Sequence, residues 1–182
     1  MINLNALTIN KLDQDYDFKW FDCGDVDLNN FLFNDAKNYY TEMMAVTYLV
    51  EYEGKTIAYF SLLNDKVVFD TSNIPAKGFW NHFNRRNRIP NPKRRKNYPA
   101  VKIGRLAVAS EFNGQGIGRF ILHTVQKLLL GRMDIACRFI TVDAYPTAFD
   151  FYRKNAFEFL SAEDVKESTR LMYFDLKSIL LP

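Results

Sequence analysis

Apolar residues recur along this chain with two periods. Between Asp25 and Met43 they fall at Leu28, Phe31, Leu32, Ala36, Tyr39, Tyr40 and Met43, mostly three or four apart. That spacing puts them on one helical face, and Asp25 can cap the helix at its start. Elsewhere the pattern suits strands. Asn3–Ile9 alternates weakly and predicts a first strand. Thr47–Tyr52 and Thr56–Leu63 predict two apolar strands, with a hairpin signal at Glu53-Gly54-Lys55, and Lys66–Phe69 extends or follows that sheet. A short helix is expected around Phe79. Lys102–Ala109 predicts a mostly buried strand, Arg119–Leu130 a helix, Phe139–Asp143 a strand and Thr147–Asn155 a short helix. Phe157–Leu160 and Thr169–Leu176 predict a closing antiparallel pair. This order fits an α/β fold with a mixed sheet of about seven strands and flanking helices.

The stretch 102–130 organises the rest. A strand leads into Ser110-Glu111-Phe112-Asn113-Gly114-Gln115-Gly116-Ile117-Gly118, and a helix follows with Ile117, Phe120, Ile121, Val125, Leu128 and Leu129 on one face. A strand, a glycine loop and a helix start make an anion site. Free N–H groups of the first turn point into the loop, and the helix dipole adds roughly half a positive charge there. Gly114, Gly116 and Gly118 lack the Cβ that would hold a phosphate away from the backbone. Three readings remain: a tight turn without ligand, a dinucleotide-binding turn, and a pyrophosphate loop for coenzyme A. Asp143, at the end of the next strand, suits the dinucleotide reading. Arg119 stands where that fingerprint wants its third glycine, and the chain lacks two mononucleotide-binding halves.

Composition narrows the class. The 182 residues are expected to form one domain, 1–182, with a well-packed core. The formal net charge is only +3, yet no acidic residue lies between Asp70 and Glu111. Arg85, Arg86, Arg88, Lys93, Arg94, Arg95 and Lys96 fall there beside Phe79, Trp80, Phe83 and Tyr98. Such a run can hold a nucleic-acid backbone and stack bases, or it can be a solvated loop. Cys23 and Cys137 form no disulfide framework and suit a reducing compartment. No secretory pattern and no long apolar run is present, so a cytoplasmic chain with no membrane span is expected. No metal-ligand spacing occurs, and no metal is expected.

Two motifs then carry a family resemblance. Gly104-Arg105-Leu106-Ala107-Val108 followed by Asn113-Gly114-Gln115-Gly116-Ile117-Gly118 resembles the acetyl-CoA motif of the GNAT N-acetyltransferases. Ala148-Phe149-Asp150-Phe151-Tyr152-Arg153-Lys154-Asn155-Ala156-Phe157 resembles their Ala-x-x-Phe-Tyr-x-x-x-Gly-Phe segment. Upstream, Phe21-Asp22-Cys23-Gly24 with Leu28-Asn29 is similar to the start of the acetyltransferase toxins of bacterial toxin–antitoxin pairs. Asn113 departs from the usual Arg or Gln, and Ala156 from the usual glycine. The first helix carries Asp27, Asp35 and Glu42 where toxin relatives are typically basic.

The resemblance implies a GNAT fold whose two central strands splay apart, and acetyl-CoA as acetyl donor. It implies that main-chain groups around Leu106, Ala107 and Val108 hold the pantetheine arm and acetyl carbonyl. The amides of Asn113, Gly114, Gln115, Gly116, Ile117, Gly118 and Arg119 would hold the pyrophosphate, and Tyr152 would be the general acid. A phenol with a pKa of about 10 is protonated at neutral pH and can protonate a departing thiolate. The coenzyme strand offers Lys102 and Arg105 but no carboxylate base. That favours an α-amine acceptor, whose pKa of about 8 leaves an appreciable neutral fraction. Acceptors left open are charged tRNA, approached through Arg85, Arg86, Arg94 and Arg95, and a small-molecule or protein amine. A different class is a coenzyme-binding partner of an antitoxin with little turnover. The resemblance also implies an antitoxin protein as partner and a homodimer.

Overall fold

A computed structural model describes residues 2–68, 74–90, 97–131, 135–161 and 167–180. Its strands form a seven-stranded mixed sheet in the order β1 (Thr8–Lys11), β2 (Val46–Tyr52), β3 (Lys55–Val68), β4 (Asn97–Val108), β5 (Phe139–Ala144), β7 (Arg170–Asp175) and β6 (Glu158–Phe159). The chain divides into two compact units, Met1–Leu63 with Ile103–Gly131, and Asn64–Lys102 with Arg132–Pro182. Among the described residues no helix is long and apolar enough to cross a membrane.

The first unit begins with a 3-10 turn, Leu4–Ala6, where a strand was expected. Asn3 explains it: its side chain accepts the Asn5 N–H at 3.1 Å and diverts the backbone from a sheet ladder. The strand itself, β1 (Thr8–Lys11), pairs antiparallel with β2 (Val46–Tyr52), from Thr8↔Glu51 to Lys11↔Tyr48. β2 turns into β3 (Lys55–Val68) through Glu53 and Gly54, at φ 47° and 78°. Positive φ at both central positions matches the right-handed twist of a hairpin.

One helix was expected over 25–43, and three pieces form instead. Asp25 caps α1 (Val26–Asn30), accepting the Leu28 N–H at 3.0 Å. A π-helical turn, Phe31–Asp35, separates it from α2 (Ala36–Thr41). The wider turn lets Phe31, Leu32 and Ala36 all reach the core, where they meet Leu12, Phe21, Leu49 and Tyr59. The Tyr59 hydroxyl donates to the Leu28 carbonyl at 2.7 Å and ties this helical pair to the sheet.

In the second unit, α3 (Ile74–Arg86) is the helix expected around Phe79. It packs Phe83 against Tyr98, Phe139, Leu160 and Tyr173. β4 (Asn97–Val108) pairs in parallel with β5 (Phe139–Ala144) from Ala100↔Phe139 to Lys102↔Thr141, and the registered pairs stop there. β5 then pairs antiparallel with β7 (Arg170–Asp175), and β7 with β6 (Glu158–Phe159). The expected closing pair is therefore present. α4 (Ile117–Gly131) belongs to the first unit and α5 (Phe149–Lys154) to the second.

Candidate active site

The glycine loop lies in the first unit. The Asn113 N–H closes a turn on the Ser110 carbonyl at 3.3 Å, and Gly114 and Gly116 follow at φ 76° and 82°. A Cβ added at Gly114 would meet nothing within 4 Å, so backbone conformation demands glycine there. α4 starts two residues earlier than expected, at Ile117, because Phe120 already donates to the Gly116 carbonyl at 3.0 Å. The N–H groups of Ile117, Gly118 and Arg119 then have no acceptor within the helix. Ile117 is buried and anchors the helix, while Asn113, Gly114, Gly116 and Arg119 are exposed. This is a fitting cradle for a pyrophosphate: free donors, a favourable dipole and open space over Gly114.

Gln115 contributes differently. Its Oε1 accepts the Ile2 N–H at 3.1 Å, and its Nε2 donates to the Glu111 carbonyl at 3.4 Å. The side chain fastens the start of the chain, leaving its main chain for any anion. On β4, Ala107 faces the core while Leu106 and Val108 are half-buried. Gly104 stands where a Cβ would come within 2.7 Å of Leu63 Cδ2. The glycine lets β4 run beside the Leu63 side chain.

Tyr152 sits on α5 in the second unit. Its ring is 6 % exposed and packs edge-on against Phe151 and Phe157, with centroids 5.0 and 5.3 Å away. Burial pushes the phenol well above its ordinary range, so it holds its proton throughout neutral pH. A buried phenol is a weaker acid than a free one.

A charged cluster escaped the sequence reading. Lys102 on β4 donates to Asp143 Oδ2 at 2.8 Å and lies 3.9 Å from Asp65 Oδ2. Asp65 in turn accepts from the buried Thr141 hydroxyl at 2.5 Å. The carboxylates missing from β4 therefore arrive from β3 and β5, and Asp143, the residue that suited a dinucleotide turn, faces a lysine. Asp143 interrupts a largely apolar strand and so carried part of the signal, whereas Asp65 stands between polar Asn64 and Lys66, and sequence alone does not pair the strands.

The basic segment divides. Lys93, Arg94, Arg95 and Lys96 lie outside the described residues. Arg86 is paired with Glu158, and Arg85 is exposed. Of the interleaved aromatics, Phe83 and Tyr98 are core and Trp80 packs against it, contrary to a base-stacking role, while the side chain of Phe79 lies outside the described residues. Phe83 and Tyr98 are 2 % and 3 % exposed, and Trp80 stacks on Tyr98 at a centroid distance of 5.0 Å. Trp80 and Phe83, three apart on α3, share one helix face, and Tyr98 meets them from β4.

Comparison with known proteins finds a matching domain and similar folds. Residues 92–177 match the acetyltransferase (GNAT) domain. No protein of curated function matches. Among solved structures, a tyrosine-to-phenylalanine mutant of KacT is 25 % identical, with a TM-score of 0.73 over 96 % of this chain and 98 % of that one. AtaTR bound with AcCoA is 27 % identical, with a TM-score of 0.72 over 97 % of each chain. AtaT complexed with acetyl-methionyl-tRNAfMet is 26 % identical, with a TM-score of 0.73 over 96 % of this chain and 97 % of that one. A strand, a glycine loop at a helix start and a buried tyrosine on the following helix thus stand in a segment, 92–177, that matches the acetyltransferase (GNAT) domain.

Proposed function

We propose that the whole chain, 1–182, acts as one domain that moves acetyl from acetyl-CoA directly to the α-amine of an aminoacyl-tRNA. The observation that carries this is the likeness over nearly the full length to AtaT in complex with acetyl-methionyl-tRNAfMet. Acetyl-CoA supplies the acetyl group as a thioester. In this reading the amides from Asn113 to Arg119 take the pyrophosphate on the start of α4. Main-chain groups of Leu106, Ala107 and Val108 align the pantetheine arm and the acetyl carbonyl. The Tyr152 hydroxyl gives its proton to the sulfur as the C–S bond breaks and the N–C bond forms. The amine sheds its proton to solvent. The absence of a carboxylate on β4 suits an amine that is partly neutral before it binds.

AtaT has been solved with the C-terminus of its antitoxin AtaR. A small antitoxin is accordingly the protein partner we assign here, alongside self-association as a homodimer, and the chain acts in the cytoplasm, where charged tRNA is found. The test is transfer of labelled acetyl from acetyl-CoA to a pool of charged tRNA, set beside free amino acids, polyamines and a basic peptide. Label on the charged tRNA supports the reading. Label confined to a small amine or a peptide overturns the acceptor and leaves the transferase.

A further inference from the structure

A second feature of the second unit lies at the ends of two helices. The chain leaves α3 through a tight C-terminal motif: Ile89 donates to the Asn84 carbonyl at 2.9 Å, and Arg88 to the Arg85 carbonyl at 3.2 Å. The residue in the left-handed position of such a motif is usually glycine. Here it is Arg88, at φ 49°. An L side chain there is strained, and glycine would fit better. A strained residue retained against an easier one points to what its side chain does.

Arg88 borders a cavity of about 350 Å³. Arg86, Glu158, Tyr173, Ala156 and Ser178 line it too. The carboxylates around it are already answered. Glu158 pairs with Arg86 and accepts from the Tyr173 hydroxyl at 3.1 Å. Asp175 is gripped by Arg138, whose Nε and Nη2 reach its two oxygens at 2.6 and 2.7 Å. The end of α3 is neutralised as well, since Arg138 also donates to the Asn87 carbonyl at 2.7 Å. Arg88 is exposed, and among the described residues its guanidinium has no carboxylate within ion-pair distance. Among the described residues the cavity therefore carries one uncompensated positive charge on a planar fork of donors. The volume suits a nucleotide-sized group, and the fork suits a phosphate.

We propose that this cavity is a phosphate site for single-stranded RNA, with Arg88 as its anchor. It rests on the reading of an RNA-borne acceptor and adds a contact that the acetyl-transfer residues do not supply.

The experiment follows binding without turnover. Calorimetry with inorganic phosphate and with a 5′-phosphorylated ribotrinucleotide would compare the full chain with Arg88→Gly and Arg88→Lys. Thermal unfolding of each would be measured in parallel. The expected result has opposite signs: Arg88→Gly raises the unfolding midpoint by relieving strain, yet weakens the trinucleotide by about tenfold or more. Arg88→Lys stays strained and loses less affinity. Unchanged trinucleotide binding in a stabilised Arg88→Gly overturns the site, as does phosphate binding indifferent to Arg88. Arg88-dependent binding of the trinucleotide by a chain that fails to acetylate charged tRNA upholds the site and removes the acceptor reading alone.

Discussion

Ala156 follows α5 at φ 63°, with the Phe157 N–H returning to the Tyr152 carbonyl at 3.0 Å. The family segment has glycine there, and the backbone shows why: the position is left-handed. Ala156→Gly should relieve about 1 kcal/mol of strain, partly offset by the greater freedom of glycine in the unfolded chain. A net gain of about 0.5 kcal/mol, or a rise in Tm of about 1–2 °C, is expected in a thermal melt. Tyr152, four residues earlier, gives a kinetic prediction. Tyr152→Phe keeps the buried ring and removes the proton. Turnover should fall by about 10²–10⁴-fold, with acetyl-CoA affinity changed little; single-turnover rates beside equilibrium binding would separate the two. Undiminished turnover would take the acid role from Tyr152. These single-residue features were legible in unequal measure. The tyrosine stood out in its motif, and the departure at Ala156 was visible. Its left-handed backbone was not, because only the close of a helix dictates φ.

Between residues and the whole, each element rests on a few ties. α1 has five residues before the π turn interrupts it, so its cap counts for more than in a long helix. Asp25→Ala should cost about 1 kcal/mol, seen as a lower unfolding midpoint and weaker protection of the Leu28 amide from hydrogen exchange. Glu51 ties β2 to its surroundings. Burial alone would raise its carboxyl, but hydrogen bonds from Lys19, Tyr16 and Asn10 outweigh this and hold it below the ordinary range. A depressed carboxyl stabilises the fold above its unfolded pKa of about 4.3 and loses that contribution as pH falls through the folded value. Glu51→Gln should therefore be less stable than the parent at pH 7, with the difference closing below about pH 4 in paired melts. The period of apolar residues foretold the helical face from Leu28 to Tyr40, but Met43, expected on that face, lies beyond α2 and is exposed. The period did not show the π turn, which arises from the core that Phe31, Leu32 and Ala36 must share. The hairpin at Glu53-Gly54 was readable because its turn chemistry is local.

At the scale of the molecule, the order of elements and the number of strands could be read from the chain, since each strand announces itself by its own alternation. The pairing of β3, β4 and β5 could not. Lys102 reveals the consequence: on the page it is a lone cation on a strand without acids, and in the fold it meets Asp65 and Asp143. The acidic gap between Asp70 and Glu111 was likewise visible, but half of its meaning was inverted. Phe83 and Tyr98 serve the core, and its three described arginines differ: Arg85 is exposed, Arg86 is bound to Glu158 and Arg88 borders a cavity.

The segmentation of the chain has an implication for dissecting it. β3 and β4 each pass from one compact unit to the other, and the first unit is assembled from two distant stretches. The matched segment 92–177 therefore contains α4 and its glycine loop without the first 63 residues that complete their unit. An excised fragment of that length would leave the Ile117, Ile121 and Val125 face of α4 without much of its burial. It would emerge as an aggregating or unfolded peptide, and a protease nick in either shared strand would release no soluble half. Fusion partners and affinity handles belong at the termini, and a split reporter built by dividing this enzyme would need both halves present before either could fold.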